Sequence, residues 1–300
     1  MVPRAEFRSY YGRPILKEPT WKVPDVPTYL TLGGLAGASA VTAVASEVTG
    51  RRGLARLSRL VAAVGSAGGA AALVHDLGRP ERFLNMLRVV KPTSPLSVGS
   101  WILAPFATMA GAAAASELTG LLPRLGRTAG MAAAVLGPAM TTYTAVLFAD
   151  TAIPAWHEAY PELPFVFAGS AMASAAGVAV AAAPLVETGP PRRLAVLGAG
   201  IELAASHRIE SRLGLVGEPY RQPGRAHSLL LAGKVLTVTG VGLAVLGRRS
   251  RAVSVLGGAS LVSASYLTRF GIYEAGRESA RDPRYTVVPQ RERLDARVIG

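Results

Sequence analysis

Eight apolar segments, each about the length of a bilayer span, fill the chain from Val26 to about Tyr273. A helix rises ~1.5 Å per residue, so ~20 apolar residues cross the ~30 Å hydrocarbon layer. Lipid offers the backbone no hydrogen-bond partners, so each segment must satisfy its own amides and carbonyls as a helix. The segments run approximately over 26–48, 54–75, 97–118, 128–150, 164–186, 193–209, 227–247 and 252–274. They predict an all-α integral membrane protein. Its parts are an N-terminal tail (1–25), an eight-helix transmembrane domain (26–274) and a C-terminal tail (275–300). No cleavable leader is expected. The first apolar stretch follows five basic residues and has the length of a span rather than of a leader's apolar core.

Half of the residues are hydrophobic, but only 6% are aromatic. The apolar content is Ala, Val, Leu and Gly. Runs such as Ala67–Ala72 and Gly111–Ser116 let membrane helices approach closely, and packing is their simplest role. There is no cysteine, so the chain cannot ligate an iron–sulfur cluster through thiolates and has no disulfide. The net charge of +13 comes from arginines in loops and tails between spans. That is the ordinary membrane pattern, and it points to lipid rather than nucleic acid.

An even number of spans puts both termini on one side, called A, together with the long loops 79–96 and 210–226. The opposite side, B, has short loops that hold eleven arginines against three acids, Glu47, Glu117 and Glu187. Short arginine-rich loops mark the cytoplasmic side. The expectation is therefore a cell-membrane protein with extracytoplasmic termini.

Converting position to depth places Tyr143, Glu202, Lys234 and Arg269 roughly 8–11 Å below the A surface. Ser97 and Ser100 open the third span from that side, and His75-Asp76 sets a base beside an acid where the second span exits. The B halves show no comparable set. Charge inside a membrane is costly, which makes a functional reading the default. Simpler roles exist: Arg269 can snorkel to the interface. Glu202 and Lys234, at equal depth on consecutive antiparallel spans, are expected to pair with each other, either to fix helix register or to carry protons. His157 and His227 read as interface residues, and His157-Glu158-Ala159-Tyr160 is no zinc motif, because no second histidine follows at helical spacing. His75 and His207 could face each other on depth alone. Neither has the second same-helix partner that a two-haem stack needs, so no haem is expected.

The run His75-Asp76-Leu77-Gly78-Arg79-Pro80-Glu81-Arg82-Phe83-Leu84-Asn85-Met86-Leu87, followed by Lys91-Pro92-Thr93-Ser94-Pro95-Leu96-Ser97-Val98-Gly99-Ser100-Trp101, resembles the signature of the NrfD/polysulfide reductase membrane-subunit family. Within it stand Arg79, Pro80, Arg82 and Asn85. Supporting stretches are Leu32 to Gly37, Tyr143-Thr144, Pro154-Ala155-Trp156, Pro164-Phe165, Glu202, and Arg269 through Ala275-Gly276 to Pro283. The resemblance covers about residues 20–290. It implies two four-helix bundles, a quinone site (menaquinone or ubiquinone) and no haem. The partners it implies are a ferredoxin-like iron–sulfur subunit and a molybdopterin catalytic subunit. The family's quinone-contacting tyrosine falls on Tyr143. Asp25-Val26-Pro27-Thr28-Tyr29 does not match the polar residues used near the start of the first span, and Lys234 is unusual for the family.

Resemblance and depth together predict a membrane anchor subunit that exchanges electrons and protons between the quinone pool and an iron–sulfur partner. Alone it is non-catalytic, or it is the quinone-reactive subunit of an oxidoreductase. The expected quinone contacts are Tyr143, His75, Asp76, Ser97 and Ser100. Glu202, Lys234 and Arg269 are expected to transfer protons. The competing readings are a secondary transporter or proton-translocating subunit, and a purely structural anchor. A transporter places its site near the midplane with access from both sides, whereas here the polar layer is off-centre.

Overall fold

Turn chemistry marks where the helices start and stop. Ser94 caps the helix that begins at Pro95, accepting from the Ser97 amide, and Ser250 does the same for the Val253 amide. Gly120, in left-handed conformation at φ 71°, ends the Pro95 helix. The computed structural model describes residues 15–299, with side chains described as far as Asp295. Arg4, Arg8 and Arg13, three of the five basic residues that precede the first span, lie outside the described residues.

Among those residues every regular element is helical. Eight helices have 20 residues or more: α1 (Asp25–Val48), α2 (Arg52–Asp76), α4 (Pro95–Thr119), α5 (Pro123–Ala149), α7 (Leu163–Ala182), α8 (Gly189–Arg212), α10 (Arg225–Leu246) and α11 (Arg251–Arg281). Short helices α3 (Arg82–Met86), α6 (Pro154–His157) and α9 (Glu218–Arg221) lie in the connections, and α12 (Arg284–Ile299) follows α11. Each long helix covers one of the apolar segments. Six of them, α1, α2, α4, α5, α7 and α10, are long and apolar enough to cross a membrane. The protein is therefore an all-α, multi-pass membrane protein. Helices α8 and α11 have the length but carry charge within it. The segment expected as a C-terminal tail is helical, because α11 runs on to Arg281 before α12 begins.

Hydrogen bonds define two ends of the bundle. At the A end, the start of α1 meets the finish of α2 through Asp25 and His75, 2.7 Å apart. Arg212 at the finish of α8 reaches Glu162 beside the start of α7 at 2.7 Å. The Ala226 amide, at the start of α10, donates to Glu278 of α11. At the B end, Glu187 before α8 accepts from the Gly53 and Leu54 amides of α2. Helix α1 packs on α2 and α5, and α4 on the same two; α7 packs on α8 and α11, and α10 on the same two. Helices α1 and α5 meet α7.

The B halves are less inert than their sequence suggests. Arg59 on α2, with a side chain only 15% exposed, bridges Glu47 of α1 and Glu117 of α4. Arg192 on α8 is buried among the Ala244 and Gly247 carbonyls and the Ser254 hydroxyl. Each of these cations joins three helices, so its partners are not evident from its own segment.

Candidate functional site

A cavity of about 610 Å³ opens at the A end. Its walls come from the segment before α4 (Pro92, Thr93), the first turn of α4 (Pro95, Val98), the last turns of α5 (Tyr143, Val146, Ala149, Asp150) and the α6 region (His157, Tyr160). Most of that lining is apolar.

Tyr143 is fixed from two sides. Its ring lies against Gly99 so closely that a Cβ there would come within 2.4 Å of the ring. Tyr29 of α1 meets it edge-on at 6.5 Å. The Tyr143 hydroxyl is buried and has no hydrogen-bond partner. A buried polar group without a partner costs about 1–3 kcal/mol, and a small turn of the ring toward the cavity would let a ligand supply one.

His157 is held by an aromatic layer. Trp156, fully buried, donates its indole N–H to the Ile272 carbonyl at 2.7 Å. It stacks on Trp21 at 5.6 Å and on Phe148 at 4.4 Å. Tyr220 donates to the Ala155 carbonyl at 2.9 Å. The next residue, His157, places Nδ1 2.9 Å from the Ala149 carbonyl. A carbonyl only accepts, so Nδ1 carries the hydrogen, and Nε2 is left as the free nitrogen. His157 also borders a second A-end cavity of about 250 Å³ beneath α12, shared with Glu158, Tyr285 and Arg293.

The expected site residues are only partly gathered here. Tyr143 lines the cavity. Ser97 and Ser100 hold its wall: Ser97 donates to Val89 O and accepts from the Lys91 amide, while Ser100 reaches Ser97 O at 2.8 Å and Met86 O at 3.3 Å. His75 and Asp76 are not on the cavity lining. His75 pairs with Asp25, with its side chain 76% exposed, and Asp76 accepts from the Lys22 amide at 2.7 Å. Arg79, Pro80, Arg82 and Asn85 are exposed on the connection between α2 and α4. His157, read from the sequence as an interface residue, ends the short helix α6 in a connection, and Asp150 lies just past α5; depth along a span says nothing about either.

The intramembrane charges form a separate, closed cluster. Arg269, fully buried on α11, donates to the Ser170 and Ser265 hydroxyls at 2.6 and 2.5 Å and to the Phe167 carbonyl at 3.0 Å. It does not snorkel. Glu202 on α8 accepts from Thr268 at 2.7 Å. The expected Glu202–Lys234 pair is not formed, because Lys234 binds Glu210 instead. A lysine side chain stretches toward the nearer aqueous surface, and Glu210 lies two turns of α8 closer to the A end than Glu202.

Outside the spans, Glu162 accepts three hydrogen bonds from Arg208 and Arg212. Burial opposes its charge, but Arg212 and Arg208 outweigh that and hold its carboxyl below the usual range. Among the described residues, no group of three or more His, Asp or Glu side chains could hold a metal ion.

A family model described as polysulphide reductase, NrfD, matches residues 17–195. No curated protein and no solved structure matches the chain.

Proposed function

The chain belongs to the polysulphide reductase, NrfD, family, and on that premise we propose that it is the quinone-reactive membrane anchor of a respiratory oxidoreductase complex. Eight helices span the membrane as two four-helix groups: α1, α2, α4 and α5, then α7, α8, α10 and α11. The closed ring of neighbours within each set supports this grouping. The charges that keep α8 and α11 from being plainly apolar are turned inward as Glu202 and Arg269. Termini and A-end loops lie on the extracytoplasmic face of the cell membrane, as the arginine-rich B end suggests.

The single observation that carries the quinone assignment is Tyr143 on the wall of a largely apolar cavity at the A end, its buried hydroxyl left without a hydrogen-bond partner. Apolar walls suit a quinone ring and its isoprenoid tail, and menaquinone and ubiquinone both meet that description. When bound, a quinone supplies a two-electron, two-proton couple. The chain's own part is to bind and to manage protons. Tyr143 donates a hydrogen bond to one carbonyl. His157 presents Nε2 as a proton carrier whose other nitrogen is already fixed on Ala149. Ser97 and Ser100 hold the wall in place, while His75 with Asp25 and Asp76 with Lys22 pin the N-terminal segment over the finish of α2.

Electrons must come from outside, since the chain has no cysteine. A ferredoxin-like iron–sulfur subunit docks on the A end over the exposed Arg79, Pro80, Arg82 and Asn85, with a molybdopterin subunit beyond it. Glu202 gives a second reading, proton translocation through the α7–α11 half with Arg269 beside it and Lys234–Glu210 nearer the surface.

Tyr143→Phe tests the first reading. Assembly of the complex should be normal while quinol turnover falls about tenfold or more, the scale of losing one hydrogen bond used in the transition state. Unchanged turnover would remove Tyr143 from the site. Glu202→Gln in folded complex separates the second: proton translocation would cease with electron transfer retained.

A further inference from the structure

The B end holds a groove that the quinone chemistry does not use. It has a volume of about 370 Å³ and lies between α1, the start of α2 and the first turns of α8. Val41, Ala45, Leu54, Pro191, Leu194 and Leu197 give it an apolar lining. Val41 and Leu197 are 41% and 56% exposed, so the groove opens sideways toward lipid. From Val41 to Thr49 it runs along ~12 Å of helix, less than the depth of one leaflet.

At its B-end mouth stand Arg51 and Arg193. The Arg51 guanidinium reaches only the Thr49 carbonyl, at a long 3.5 Å. Arg193 is exposed and makes no hydrogen bond or ion pair among the described residues. All three B-end acids are already engaged. Glu187 accepts from the Gly53 and Leu54 amides, Glu47 pairs with Arg59 and Arg127, and Glu117 pairs with Arg59. The groove hydroxyls of Thr42, Ser46 and Thr49 donate to carbonyls of their own helix. Among the described residues nothing neutralises the two arginines, and no acid at the groove is left to receive a cationic headgroup.

We propose that this groove binds one anionic phospholipid. Its phosphate sits between Arg51 and Arg193, and an acyl chain lies along α1 against Leu194 and Leu197. Two cations at interface depth above an apolar slot match a molecule with a negative head and an apolar tail. The lipid would fasten α1 and α2 to α8, joining parts of the two halves that leave a gap between them.

The test uses the full chain in bilayer discs made of equal parts phosphatidylcholine and phosphatidylglycerol, extracted gently and weighed intact by native mass spectrometry. The expected result is one retained phosphatidylglycerol per chain. Arg51→Gln with Arg193→Gln should lower its retention about tenfold or more. Ala45→Trp, which fills the groove but keeps both charges, should do the same. Arg124→Gln with Arg249→Gln, exposed B-end arginines away from the groove, should change nothing. Equal retention of phosphatidylcholine, retention that survives the double variant, or displacement by inorganic phosphate alone would overturn the proposal.

Discussion

The Tyr143 cavity and the Arg269 cluster differ in how they house polar groups. At Tyr143 a hydroxyl is buried and left without a partner beside an open, apolar space. At Arg269 a full charge is buried, and two serines and a carbonyl receive its terminal nitrogens in a closed site. By composition alone, the arginine inside the membrane is the stronger functional signal. Geometry reverses that order. A charge bonded through its terminal nitrogens in closed packing, with only its Nε unpartnered, holds helices together, whereas Tyr143 stands on the wall of an open space.

The largest expected effect breaks the closed side. Arg269→Leu would take away the buried donor shared by Ser170, Ser265 and the Phe167 carbonyl, at a cost on the order of 3 kcal/mol. The folded yield in membranes should collapse, as read by size-exclusion profiles after mild extraction. A well-folded Arg269→Leu protein with lost turnover would instead make Arg269 part of the chemistry. An intermediate effect sharpens the open side. Gly99→Ala would put a methyl group 2.4 Å from the Tyr143 ring and force it to move. Misplacement of this size should lower quinol turnover roughly tenfold to a hundredfold with assembly retained. Turnover at the wild-type level would mean that the ring's position is immaterial. The smallest effect is expected at Lys234, whose side chain is 32% exposed beside Glu210. Lys234→Met should change stability by about 1 kcal/mol or less. A large loss of turnover there would move the proton route to α10.

The helices themselves were legible, since lipid allows the backbone no alternative and each apolar block became one long helix. The place of Tyr143 toward the A end was legible as well, through its depth, while its role rests on the resemblance. The pairing of charges was not. Depth along a helix is one coordinate, and the partner also depends on direction around the axis and on side-chain reach. Thus Glu202 found Thr268 on α11, Lys234 found Glu210, and His75 found Asp25 outside the cavity. His157 carried no periodic signal, because it ends the four-residue α6, which a Trp156-centred aromatic layer holds in place.

Gly34 on α1 has no side chain where the Arg269 guanidinium lies, and a Cβ there would come within 2.5 Å of it. One of the last helices made therefore closes against the first. An isolated α11 carrying that charge is a poor lodger in lipid, so it needs the slot beside α1 and α7 already built. Insertion then has a built-in order: until α11 is in place, α1 carries an open notch at Gly34, and the arrival of Arg269 both fills that notch and shelters its own charge.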